Sequence, residues 1–133
     1  MRDILFRGKR KDNGRWAYGY VDATMYKHIV VINTDDGGSQ FEVQPDTVGE
    51  FTGLDDANDK PIYEGDIVAY KDKPFGIVIW HTNGYFCIND SFDMKERDYT
   101  PIGKLFELCY IREHENKFSV IGNIHDNPEL LTN

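Results

Sequence analysis

Glu64 and Asp66 stand two apart across Gly65, the spacing of a carboxylate pair that could share acid–base work. That work needs surroundings that drive the two pKa values apart, and the local sequence offers no such pocket. The pair is expected to hold a turn or to face water. The acidic stretch 55–66 around it suggests calcium. A calcium loop places oxygen ligands at alternate positions, with Gly sixth and Glu twelfth. Counted from Asp56, Asn58 fits the third place, but Lys60 takes the fifth, Pro61 the sixth and Ile67 the twelfth. A polar surface loop is therefore expected. Zinc needs three or four converging His, Cys or carboxylate ligands. His28, His81, His114 and His125 are scattered, and Cys87 and Cys109 form no Cys-x-x-Cys pair. No metal or cofactor is expected. There is no Gly-x-Ser-x-Gly elbow and no Gly-rich loop ending in Gly-Lys-Ser or Gly-Lys-Thr. Cys87, between Phe86 and Ile88, is expected as a buried small hydrophobe. No catalytic residue is assigned, and the chain is expected not to be an enzyme.

One constellation remains. Arg7, Lys9, Arg10, Lys11 and Arg15 cluster beside Trp16, which starts an aromatic row with Tyr18 and Tyr20. Cations beside stacking rings suit single-stranded nucleic acid. The same residue types also suit a protein interface. Charge favours the second use. The net charge is −8; residues 1–15 hold six Lys or Arg against two Asp, a balance of +4, which leaves −12 on the other 118. Such a body repels phosphate, whose neutralisation dominates nucleic-acid affinity. Asp35, Asp36, Asp55, Asp56, Asp59, Asp90, Asp93, Glu96 and Asp98 raise a third reading, imitation of the charge of DNA.

Strands are expected to position these residues. Residues 3–10 and 15–22 flank Asn13-Gly14, which suits a type I′ turn. Alternation would put Trp16, Tyr18 and Tyr20 on one face and Ala17, Gly19 and Val21 on the other. The β-branched run 28–34 reads as a strand buried on both faces. It turns at Asp35–Gly38 and pairs with 40–44, which Pro45 ends. Residues 53–65 read as the longest irregular stretch. Residues 66–70, 76–80 and 85–88 form a meander with turns at Lys71–Pro74 and Asn83-Gly84. Residues 90–103 are polar and expected to be irregular. Residues 105–111 fit both periodicities, and a strand or single turn is preferred. Lys117 to Ile121 is the last strand. Asn127 would cap a final helical turn with Pro128 at its first position.

Four blocks, taken together, resemble the YopX family. They are Ile4–Lys9 with Trp16–Tyr20, Val48–Leu54, Ile62–Val68, and Val120–Ile124 running into Asn127–Leu131. Where the family often has Asn-Gly-Lys, this chain has Asn58-Asp59-Lys60, a departure that touches the turn type there. The resemblance implies a mainly β fold of complex, barrel-like antiparallel sheets and a phage or prophage origin. It supplies no catalytic residue. By analogy, the second-half meander looks SH3-like. The chain is read as a single domain over residues 1–133, divisible into β halves of about 1–52 and 62–133. Two cysteines and no secretory leader or membrane span lead to an expected address in the host cytoplasm. The expected role is a non-enzymatic interaction module with a protein partner or a second copy of itself. Nucleic-acid binding through the basic N-terminal hairpin is the alternative.

Overall fold

The first hairpin follows from small residues alternating with large ones. β1 (Phe6–Lys9) pairs antiparallel with β2 (Trp16–Asp22), matching Arg7 to Tyr18 and Lys9 to Trp16. Opposed residues share a face, so both cations stand beside the aromatic row. Ala17 and Gly19 are buried on the other face, while Tyr18 and Tyr20 are exposed, as the alternation predicts. In this computed structural model residues 5–22, 29–32, 39–81, 85–89 and 99–131 are described. The chain divides into two units, Met1–Phe51 and Thr52–Asn133.

In the first unit, β3 (Ile29–Ile32) pairs with β2 and with β4 (Gln40–Val43), and β1 pairs with the start of β5 (Gly49–Asp55). The strand order is β4-β3-β2-β1-β5. The expected turn at Asp35–Gly38 lies outside the described residues. The type I′ turn at Asn13-Gly14 does not form. Four residues separate Arg10 from Arg15, and Gly14 donates its N–H to Arg10 O. Only Gly14 of the pair has positive φ, at 70°. A loop of this length is usually built around a type I turn, which does not require the positive φ at both positions that type I′ does. Asn13 instead uses its Oδ1 to accept the Arg15 N–H at 2.9 Å.

This sheet curls on itself. Gln44 N donates to Lys9 O at 2.8 Å, Lys11 N donates to Glu42 O at 3.0 Å, and Arg10 bridges Val43. Val43 is fully buried and packs with Ala17 beside Val21, Phe41 and Val48. The curl requires Gly8: a Cβ there would stand 2.9 Å from Val43 Cγ2.

In the second unit, the end of β5 pairs with β6 (Pro61–Tyr63). Thr52 Oγ1 donates to Ile62 O at 2.8 Å. The stretch expected to be irregular, 53–65, thus contains two strand segments around a short loop. β7 (Asp66–Tyr70), β8 (Lys73–His81), β9 (Tyr85–Asn89), β10 (Tyr99–Pro101) and β11 (Phe118–Asn123) form an antiparallel sheet ordered β10-β9-β8-β7-β11. The meander is as expected, and β10 extends it. Asn83-Gly84 and residues 90–98 lie outside the described residues. Pro101 is tolerated in β10 because that strand lies at the sheet edge. Lys71 and Asp72 join β7 to β8 with φ of 50° and 68°, the positive pair a type I′ hairpin turn requires. Ile67, Val68 and Ala69 of β7 are fully buried.

Residues 105–111 are not a strand. They lie in helix α1 (Ile102–Glu113), which links edge strand β10 to the opposite edge β11. Lys, Leu, Glu and Arg favour a helix, and the stretch has few β-branched residues to oppose it. Ile102, Phe106 and Cys109 recur at helical spacing and are buried against Val68, Val78, Ile88 and Phe118. His114 ends the helix with φ 62° and donates its N–H to Tyr110 O. At the C-terminus a 3-10 turn covers Pro128–Leu131, as expected, but Asn127 Oδ1 accepts from Asn123 N rather than from that turn. The protein is mainly β with antiparallel sheets and one short helix, and no closed barrel is found among the described residues.

Gly8→Ala should destabilise the protein by ~1–3 kcal/mol, as overpacking a dense core does. Urea denaturation followed by circular dichroism measures the loss.

Candidate functional site

The basic cluster is only partly available. Arg7 is buried, its guanidinium 4.5 Å from the Trp16 ring centroid. Lys9 lies on the same ring at 5.7 Å. Arg10 grips Asp12 through two bonds of 2.9 and 2.6 Å and covers the Phe41 ring at 4.0 Å. That grip, above all its hydrogen bond, lowers the Asp12 pKa. Lys11 pairs with Glu42 at 2.9 Å. Arg15 is exposed, and its side chain makes no ion pair among the described residues. The structure therefore brings Arg7, Lys9 and Trp16 together. It commits Arg10 and Lys11 to carboxylates and leaves Arg15 apart. The outward part of this face is aromatic, with Tyr18 46% and Tyr20 45% exposed.

Asp56 is buried where the calcium reading needed a free ligand. Its Oδ1 accepts from Asn58 N and Lys60 N at 2.8 and 2.9 Å. Its Oδ2 accepts from Val120 N at 2.8 Å, which ties the loop to β11. Asp66 is buried and accepts the Tyr63 N–H at 2.8 Å across a turn in which Gly65 has φ 93°. It holds that turn, while Glu64 is half-buried. Of the carboxylates of the DNA-imitation reading, Asp56 is thus buried, Asp55 and Asp59 are exposed, and Asp35, Asp36, Asp90, Asp93, Glu96 and Asp98 lie outside the described residues.

Cys87 is fully buried, with its thiol pKa pushed up by burial. Cys109 accepts from Lys117 N at 3.1 Å and donates to Glu115 O at 3.0 Å. Both are free thiols. His114 is exposed at the helix end, and His28 and the His81 side chain lie outside the described residues. No metal-holding group occurs among the described residues.

Two features were missed in the sequence. Glu113 accepts from Tyr70 Oη at 3.0 Å and pairs with Lys71 at 2.5 Å. The Lys71 bond first, then the Tyr70 bond, lowers the Glu113 pKa, and the same contacts raise those of Lys71 and Tyr70. Beside it, an apolar slot of about 190 Å³ opens between α1 and the β7–β8 and β11 segments. Phe118 and Cys109 are its buried lining, and Arg112 its one cation. A helical reading of 102–113 would have placed Leu105, Cys109 and Arg112 near one face.

A mainly β protein of antiparallel sheets with an exposed aromatic face is the class these features define. The chain belongs to the YopX family: the model of the YopX protein matches residues 5–132. Among curated proteins no relative matches it. No helix among the described residues is long and apolar enough to cross a membrane.

Asp56→Ala leaves three backbone donors without their acceptor and should cost about 2–4 kcal/mol, a few times one unmade buried bond; urea titration measures it. The Glu113 contact has a definite pH sign. A lowered folded-state pKa makes its contribution full above the ordinary value of 4.5 and lost as pH falls through the lowered one. The melting-temperature gap between wild type and Glu113→Gln should therefore shrink between neutral pH and acid, as read by calorimetry.

Proposed function

We propose that this YopX-family chain is a phage- or prophage-encoded, non-enzymatic protein-interaction module that works in the host cytoplasm. The aromatic face of β2 is its contact surface. The observation that carries this reading is the exposure of Tyr18 and Tyr20 beside the half-buried Trp16. Tyr, Trp and Arg are the residues most enriched where interfaces concentrate their binding energy. On this face they come preorganised: Arg7 is held under Trp16, and the row is fixed by strand pairing rather than carried on a loop. A protein partner or a second copy of the chain would cover it.

Nucleic acid is the weaker occupant. Arg10 and Lys11 are already paired with Asp12 and Glu42, so a phosphate would have to displace a bound carboxylate at each. The net charge of −8 adds repulsion at low salt.

The test replaces Tyr18 and Tyr20 together by Ser. Both are exposed, so circular dichroism should be unchanged. Affinity capture from lysogenic cells with quantitative mass spectrometry should lose a wild-type partner by ~10-fold or more, the scale of a lost anchor residue. If self-association is the contact, light scattering should instead show the variant shifting to monomer. A wild-type monomer whose captured proteins are unchanged in the variant overturns the reading. Salt-sensitive DNA binding that survives the Tyr changes and disappears in Arg15→Gln would move it to nucleic acid.

A further inference from the structure

We propose that the slot beside α1 binds a small aromatic monocarboxylate, with the ring among Tyr70, Phe75 and Leu105 and the carboxylate on Arg112. This goes beyond the interaction reading and involves a different unit of the chain.

Size comes first. The slot measures about 190 Å³. An enclosed apolar cavity of about 150 Å³ takes up benzene, and this slot, open on one side, exceeds that volume, so one ring with a short substituent fits. Shape comes second. Phe118 stands 5.1 Å from Tyr70, 5.3 Å from Phe75 in an edge-on contact, and 5.2 Å from the stacked Phe106. Phe118 thus forms the buried floor and holds Tyr70 and Phe75, the half-buried walls, in place; fixed aromatic walls favour an offset or edge-on aromatic guest over a flexible chain.

Charge decides the class. Arg112 is exposed at the slot and makes no ion pair among the described residues. The two nearest carboxylates in the chain are engaged elsewhere, Glu113 with Lys71 and Tyr70, and Glu115 with Lys117. A planar guanidinium left over beside an apolar slot matches a carboxylate bidentately. The net charge of −8 opposes an anion only at long range, since salt screens beyond ~8 Å under physiological conditions.

The probe is phenylacetate, compared with its neutral counterpart 2-phenylethanol, added to the full chain and followed by amide NMR. Phenylacetate at up to about 10 mM, a range suited to so small a ligand, should shift the amides of Leu105, Cys109 and Phe118. It should bind ~10-fold more tightly than 2-phenylethanol, the effect of a charge-assisted hydrogen bond. Arg112→Gln should remove that preference and leave 2-phenylethanol binding in place. Leu105→Trp, which narrows the slot, should weaken both probes. No shift at these residues overturns the proposal. So does equal binding of the two probes, or a preference that Arg112→Gln leaves intact. None of these results depends on Tyr18 or Tyr20, so the two readings fail separately.

Discussion

The ring of Phe118 holds the second unit together. It is 2% exposed and touches Phe106 of the helix, Tyr70 of β7 and Phe75 of β8. Aromatic pairs of this kind add to plain area burial because each ring has a negative face and a positive edge. The helix links opposite edges of the sheet and must cross it. Phe106 stacked on Phe118 determines where that crossing seats. The slot, the Arg112 position and the Glu113–Lys71–Tyr70 contact all follow from this seating.

Asp56 supplies a second constraint through polar chemistry. Three backbone N–H groups converge on one buried carboxylate, and the acidic loop is thereby fastened to β11. A carboxylate so fully used has little left for an ion. Asp66 repeats the arrangement on a smaller scale by bracing the turn before β7. Acidic residues in this chain thus include structural acceptors as well as surface charge. Composition alone counts both kinds the same way.

In the first unit the same distinction governs the cations. Five basic residues look alike as a string of letters. Strand pairing buries Arg7 with Trp16, and the curled sheet brings Glu42 to Lys11 and Phe41 to Arg10. What remains facing outward along β2 is the Tyr18 and Tyr20 row, with Arg15 exposed at its loop end. The character of this surface is therefore set by partners up to 31 positions away in the chain.

Local pattern was enough for much of the fold. Alternation in Trp16–Val21 sorted the exposed rings from the buried small residues, and the β-branched runs and turn residues marked the meander, because strand faces depend only on a period of two. The ordered blocks were enough for the family. Residues 105–111 fit a strand or single turn as well as a helix because a short apolar stretch satisfies both periods, and only the sheet it crosses selects the helix. The loop at Asn13-Gly14 was misjudged because its length is set by where β1 and β2 stop pairing. Neither the slot nor the commitment of each charge was legible, since both depend on contacts between residues far apart in sequence, which no window along the chain contains.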